Sequence, residues 1–383
     1  MKKRTLCLLT AGISLLAFAS SAEAFESRAK NAILMDFETG TYLFVKNHQE
    51  KIAPASMSKL MTVYVLLNKI KEGDVSLEDT FTVSEKAWRK GGAASGGSTM
   101  FLKIGQEVSV EDLLKGILIQ SGNDACIVVA ENVAGSEEEF AAMMNETAEK
   151  IGLKNAHFEN ATGLPHPDHR ISPEDLAILA RHIIKEFPEY YPIFKQKEFT
   201  YNGIKQGNRN PLLYSLNGAD GLKTGHTDEA GFCLTGSVKR GDRRLIEVIA
   251  GLPSNKERSI ESEELMTWGF ANFENYKFFN QNQIVATIPV WYGALPSVDA
   301  VVSEKVVKTI KKSKKNKYAA KLVYKTPVKA PIAKGDKIGE IQITYGGELK
   351  DTIPVVAKED VAKVGFVSRF ITNLKYFVFG AEK

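Results

Sequence analysis

Pro54-Ala55-Ser56-Met57-Ser58-Lys59-Leu60-Met61-Thr62-Val63-Tyr64-Val65-Leu66-Leu67 places a serine and a lysine three residues apart at the head of an apolar run. Leu60, Met61, Val63, Tyr64, Leu66, Leu67 and Ile70 recur at helical spacing, which predicts a buried helix starting near Pro54. Upstream, residues 32–37 and 41–45 are β-rich runs separated by Glu38-Thr39-Gly40, the pattern of a hairpin. Downstream, residues 110–187 are mostly helical in pattern until Pro188 ends the run. Residues 220–252 read as strands, with Lys239-Arg240-Gly241-Asp242 turning between 232–238 and 245–250, and a helix over 259–273 follows. Early and late strands are expected to join one mainly antiparallel sheet flanked by the intervening helices, a mixed α/β fold.

Two further motifs complete a chemical set: Ser121-Gly122-Asn123 and Lys223-Thr224-Gly225-His226. A serine at the first turn of a helix sits beside free backbone N–H groups and the positive dipole end, which favour an anionic tetrahedral intermediate. Lys59 projects on the same face as Ser56, and burial beside a second cation such as Lys223 would ease its deprotonation. Ser121 is placed to relay a proton to a leaving amine, and the Asn123 amide to hold Lys59 or a substrate carbonyl. The Lys223 segment reads as an edge strand on which an extended peptide can dock, with Lys223 and Thr224 facing a carboxylate and Gly225 allowing close approach. Each motif has a plain reading alone: Ser-x-x-Lys arises by chance, Ser-Gly-Asn caps helices, and strand ends expose lysines. Only the ordered triplet specifies acyl transfer through a serine ester.

At 383 residues the chain is expected to form two domains, and a formal charge of +4 gives no support to nucleic-acid binding. Lys2, Lys3 and Arg4, an apolar run over residues 6–19 and Ala22-Glu23-Ala24 read as a secretory leader with its cleavage site. An uncleaved anchor fits less well, because the run is shorter than the ~20 residues that span a bilayer. Cys126 and Cys233, the cysteines left after the leader, each lie in an apolar stretch and read as small buried residues rather than a bridge. His166-Pro167-Asp168-His169 invites a metal reading, but no further ligands stand at zinc-site spacing, so neither metal nor cofactor is expected.

Residues 280–357 change character, with short β-rich runs over 284–290, 321–324, 337–345 and 352–357 that suggest a small all-β domain. Lysines crowd residues 305–329, the pattern of a solvated loop or hairpin edge, or of a surface that attracts anions. Residues 364–379 gather Phe366, Phe370, Ile371, Leu374, Phe377 and Val378 on one helical face, suited to lying in a membrane interface. The expected division is a leader over 1–24, a catalytic domain over 25–275, a β-rich domain over 276–358 and an amphipathic helix over 359–383.

With these motifs in place the chain resembles the low-molecular-mass penicillin-binding proteins of the D-alanyl-D-alanine carboxypeptidase family. The similarity runs through Met100-Phe101-Leu102-Lys103, Gln120 to Cys126, Ala161-Thr162-Gly163-Leu164 and Thr267-Trp268-Gly269-Phe270, and covers nearly the whole chain. It implies a β-lactamase/transpeptidase-like catalytic domain, a sandwich-like C-terminal β domain and an exported enzyme held at the outer face of the cytoplasmic membrane. It further implies that Ser56 attacks the penultimate D-Ala carbonyl of peptidoglycan stem peptides with Lys59 as base. Backbone N–H groups of Ser56 and His226 would form the oxyanion hole. Ser121, Asn123 and Lys223 match the family's second and third motifs, while Arg209 and Arg258 match arginines near the substrate's terminal carboxylate. Gly91-Gly92-Ala93-Ala94-Ser95-Gly96-Gly97 corresponds to a loop bordering the site, and β-lactams are the implied covalent inhibitors. A serine β-lactamase of the best-known class would need a Glu-x-x-Leu-Asn arrangement, and the chain has Glu174-Asp175-Leu176 instead. A cross-link endopeptidase and a non-catalytic wall-binding scaffold remain as alternative readings.

Overall fold

The structure, a computed structural model, describes residues 25–371, so the expected leader and the end of the expected terminal helix lie outside the described residues. Its first domain is built on a five-stranded antiparallel sheet. The strands are β1 (Asn31–Asp36), β2 (Tyr42–Lys46), β3 (Ala219–Thr227), β4 (Gly231–Arg240) and β5 (Arg243–Leu252), in the order β2-β1-β5-β4-β3. The early hairpin thus pairs with the late one through β1 and β5, leaving β3 and its Lys223-Thr224-Gly225 run on an edge. β5 is continuously buried from Leu245 to Ala250 because helices cover both faces of the sheet.

On one face pack α1 (Lys59–Glu72), α2 (Asn123–Ala134), α3 (Glu137–Lys150) and α4 (Pro173–Glu186), around a core that includes Met57, Leu60, Val63, Leu113, Val129 and Ile183. On the other face α5 (Asn255–Asn272) sets Leu265 and Met266 against Leu34, Leu234 and Ile249. Serine N-caps at Ser136, Ser172 and Ser254 fix the starts of α3, α4 and α5, each accepting a backbone N–H three residues on.

One expectation needs correction. Ser56 does not lie in the first turn of an α-helix but in a 3₁₀ turn, Ala55–Ser58, that precedes α1. Ala55 adopts a left-handed φ of 48°, which interrupts helical geometry, so regular α-helix begins only at Lys59. Two glycines let neighbouring chain close on this turn. A Cβ on Gly163, itself at φ +77°, would stand 2.0 Å from the Ala55 carbonyl oxygen, and one on Gly225 would stand 2.8 Å from that of Pro54.

The strand Phe273–Phe279 follows α5 without a break and pairs with Val306–Lys311. A six-stranded sheet, with the long strands Gln283–Trp291, Lys337–Tyr345 and Glu348–Ala357, completes a separate β domain. Its own core includes Ile288, Val298, Val302, Ile341, Ile343 and Val355. The lysine-rich stretch is partly strand (Val306–Lys311) and partly a 3₁₀ turn (Lys312–Lys317), with Lys305, Lys308 and Lys315 in ion pairs to Glu38, Asp351 and Glu274. Cys126 and Cys233 are buried free thiols. The helix expected over 359–383 does not start at 359: residues 359–365 are not helical, because Val361 and Lys363 bridge to Ile332 and Gly293, whereas residues 366–371 are helical and expose Phe366, Val367, Phe370 and Ile371; the remainder of the expected helix lies beyond the described residues. Among the described residues, no helix is long and apolar enough to cross a membrane.

Candidate active site

The 3₁₀ turn places Ser56 at the mouth of a cavity of about 760 Å³, whose lining includes Ser98, Ser121, Arg209, Thr224 and His226. Behind the serine, Lys59 is fully buried, and its Nζ lies 2.9 Å from Ser56 Oγ, 2.8 Å from Asn123 Oδ1 and 2.5 Å from the Thr162 carbonyl oxygen. Burial lowers the lysine to about 8, and the Arg209 charge pushes the same way. A neutral amine has two N–H donors and one lone pair. Asn123 Oδ1 and the Thr162 carbonyl can only accept, so they take the two N–H groups and leave the lone pair to the one neighbour able to donate, the Ser56 hydroxyl.

Ser121 reaches the same place through an unusual backbone. The helix before it ends in one π-helical turn, Gly116–Gln120, and Ser121 itself is left-handed at φ 61°, ψ 31°. Its Oγ accepts from Lys223 Nζ at 2.9 Å. Lys223 is buried, and desolvation together with the Lys59 charge holds it well below the ordinary lysine value. Asp124, fully buried, fastens the loop before α2 by accepting from Thr99 Oγ1 and from the backbone N–H groups of Met100 and Leu102. The glycine-rich stretch forms a short 3₁₀ turn, Ala93–Ser95, and Gly96 and Gly97 reach the cavity rim.

The two arginines differ in surroundings. Arg209 lines the cavity and donates to Ser98 Oγ at 2.5 Å. Arg258, on α5, lines the same cavity but is buried, and it donates to the Cys233 and Gly225 carbonyls and to Asn255 Oδ1, so it also fastens β3 to β4. Burial lowers Arg258 to about 10, which leaves it charged at neutral pH. His226 stacks on Phe232 with ring centroids 4.0 Å apart. All ten residues singled out in the sequence therefore meet around one cavity or directly behind it.

The sequence shows Ala161-Thr162-Gly163-Leu164 and His169 but not that their loop closes the site behind Lys59. Thr162 supplies a lysine acceptor by its carbonyl, to which sequence identity gives no clue, and the Ala161 carbonyl accepts from Thr62 Oγ1 at 2.6 Å. His169, almost fully buried, accepts the Glu159 backbone N–H on Nδ1 at 3.1 Å. Its Nε2 therefore carries the proton and donates to Ser58 Oγ at 2.7 Å. Burial lowers this imidazole to about 4, so it stays neutral and holds the Ser56–Lys59 turn. Motif searching around Ser56 does not reach a partner 111 residues away.

A cavity-facing serine on a buried lysine at a helix entrance, beside a lysine-bearing edge strand, defines a serine acyl-transfer site. The family profile described as D-alanyl-D-alanine carboxypeptidase matches residues 17–254, and that of the penicillin-binding protein 5 C-terminal domain matches residues 273–363. The chain is 41% identical to D-alanyl-D-alanine carboxypeptidase DacC of Escherichia coli, over 91% of this chain and 88% of that one. It is 37% identical to DacF of Bacillus subtilis, over 96% of each. The crystal structure of penicillin-binding protein 5 from Haemophilus influenzae superposes with a TM-score of 0.80 at 36% identity, covering 89% of this chain and 99% of that one. The chain belongs to the D-alanyl-D-alanine carboxypeptidase family.

His169→Ala is expected to slow acylation by benzylpenicillin about tenfold, whereas His169→Gln, which keeps a side-chain donor for Ser58, recovers most of the rate. Stopped-flow acylation measures this; equal loss in both variants would contradict the positioning role.

Proposed function

We propose that the protein removes the terminal D-alanine from peptidoglycan stem peptides through a Ser56 acyl-enzyme. The observation that carries this reading is the buried Lys59 Nζ 2.9 Å from Ser56 Oγ, with Ser56 at a cavity flanked by an edge strand. The peptide lies along β3, and its terminal carboxylate meets Thr224 and the charge of Arg209, with Arg258 adding positive potential from the cavity wall. Ser56 Oγ attacks the penultimate D-Ala carbonyl carbon while its proton passes to Lys59 Nζ. The oxyanion sits on the backbone N–H groups of Ser56 and His226. As the C–N bond breaks, the proton that Lys59 took from Ser56 passes through Ser121, whose hydroxyl Lys223 orients, to the leaving nitrogen, which returns Lys59 to its neutral form. Water then attacks the ester carbonyl with Lys59 again accepting a proton, and as the ester C–O bond breaks Lys59 returns that proton to Ser56 Oγ, releasing the shortened peptide. β-Lactams acylate the same serine, in keeping with the penicillin-binding relatives.

Residues 25–275 form the catalytic domain in this reading, and residues 276–358 the β domain. Residues 1–24 act as the export leader, and residues 359–383 attach the enzyme to the outer face of the cytoplasmic membrane. The exposed Phe366, Val367, Phe370 and Ile371 support the last assignment, since an apolar helical face without a protein partner suits an interface.

The mature protein is expected to release D-alanine from diacetyl-Lys-D-Ala-D-Ala, with release abolished by Ser56→Ala and by prior penicillin treatment. Covalent penicillin labelling without any release would overturn the carboxypeptidase reading in favour of cross-link cleavage or wall binding. Deleting residues 364–383 is expected to move the activity from the membrane fraction to the soluble fraction at unchanged specific activity; retention in the membrane would refute the anchor.

A further inference from the structure

The loop that lies under Lys59 has an outer face that the reaction does not use. There the Glu159 carboxylate, the His166 imidazole and the Asp168 carboxylate offer donor atoms that all lie within 4.8 Å of one another. The sequence gives only His166-Pro167-Asp168-His169; the fold brings Glu159 across the loop to join it. His157 Nε2 lies 2.9 Å from Glu159 Oε1, and His166 Nδ1 lies 4.0 Å from that same oxygen. The Asp168 backbone N–H donates to His166 Nδ1 at 3.2 Å, so an ion taken by that nitrogen replaces this exposed bond. Neither carboxylate is paired with a lysine or arginine, and the Asp168 carboxylate has no partner among the described residues. Three of the chain's six histidines fall between residues 157 and 169.

We propose that Glu159, His166 and Asp168 form a surface site for a borderline divalent transition metal of the zinc class. One imidazole and two carboxylates are ligands that such ions accept, and neither thiolate nor an all-oxygen cage is present to favour copper(I) or calcium. Zinc ligands lie at about 2.0–2.2 Å from the ion, which puts neighbouring tetrahedral donors roughly 3.5 Å apart. The donors therefore close onto an ion by moving about an ångström, and solvent completes the shell. His157 bonds to the ligating carboxylate as an outer partner that fixes its direction. The site reaches the catalytic turn by two short routes. The backbone N–H of Glu159 donates to His169, which holds Ser58, and the same loop presents the Thr162 carbonyl to Lys59. A bound ion pins that loop from outside. The site is independent of the proposed peptidase reaction, and its test uses no turnover assay.

The test is calorimetric titration of the metal-free mature protein with zinc chloride, repeated with cobalt(II) followed by its visible absorption. Saturable binding of one ion per chain is expected. It should weaken at least tenfold in His166→Ala, in Glu159→Gln and in Asp168→Asn, more mildly in His157→Ala, and not at all in His48→Ala. Unchanged melting temperature and penicillin labelling verify the fold of each variant. Absence of saturable binding, or equal affinity in all variants, would mean adventitious surface zinc only and would overturn the proposal.

Discussion

A lysine amine enclosed away from water by three oxygen atoms is the constraint on which the rest of this structure depends. Burying an ammonium is costly, and the protein relieves that cost by lowering the affinity of Lys59 for its proton. The three neighbours come from three separate parts of the chain: the 3₁₀ turn, the start of α2 and the loop beneath α1. The fold must bring those parts together to within hydrogen-bond tolerance, and the first domain is arranged around doing so.

Several backbone departures serve this enclosure. Ala55 and Ser121 are left-handed without being glycine, a π turn precedes Ser121, and Gly163 and Gly225 stand where a Cβ would strike the carbonyls of the catalytic turn. Strained non-glycine conformations persist only where surrounding contacts over-determine them. Here those contacts are the buried Asp124 network, the His169–Ser58 bond and the continuous apolar packing of α1 and α2. Lys223 sits beside the same enclosure, where desolvation and then the Lys59 charge lower its hold on its proton, while the charge that lowers Lys59 beyond its burial is that of Arg209. Proton traffic between Ser56 and Ser121 thus has a basic amine at either end.

Much of this was legible in the sequence, for physical reasons. The hairpin around Glu38-Thr39-Gly40, the strands on either side of Lys239-Arg240-Gly241-Asp242 and the apolar face of α1 follow from period and turn chemistry, which are local. So is the link from Ser56 to Lys59. The 3₁₀ turn at Ser56 was not legible, because nothing local distinguishes Ala55 from an ordinary helix start. Nor were Thr162, which acts through its carbonyl, or His169, whose partner is distant in sequence. The strand Val306–Lys311 hid within a lysine-rich run because Lys308, Thr309 and Lys311 interrupt its apolar pattern, though Val306 and Ile310 are buried. Glu159 could be tied to His166 and Asp168 only once the loop was folded.

The most direct test of the account is the rate at which benzylpenicillin acylates Ser56 as a function of pH. A buried Lys59 acting as neutral base predicts a rate that rises through about pH 8 and is level above it. A rate still climbing toward the ordinary lysine value of about 10.4, or one independent of pH across this range, would contradict the central claim.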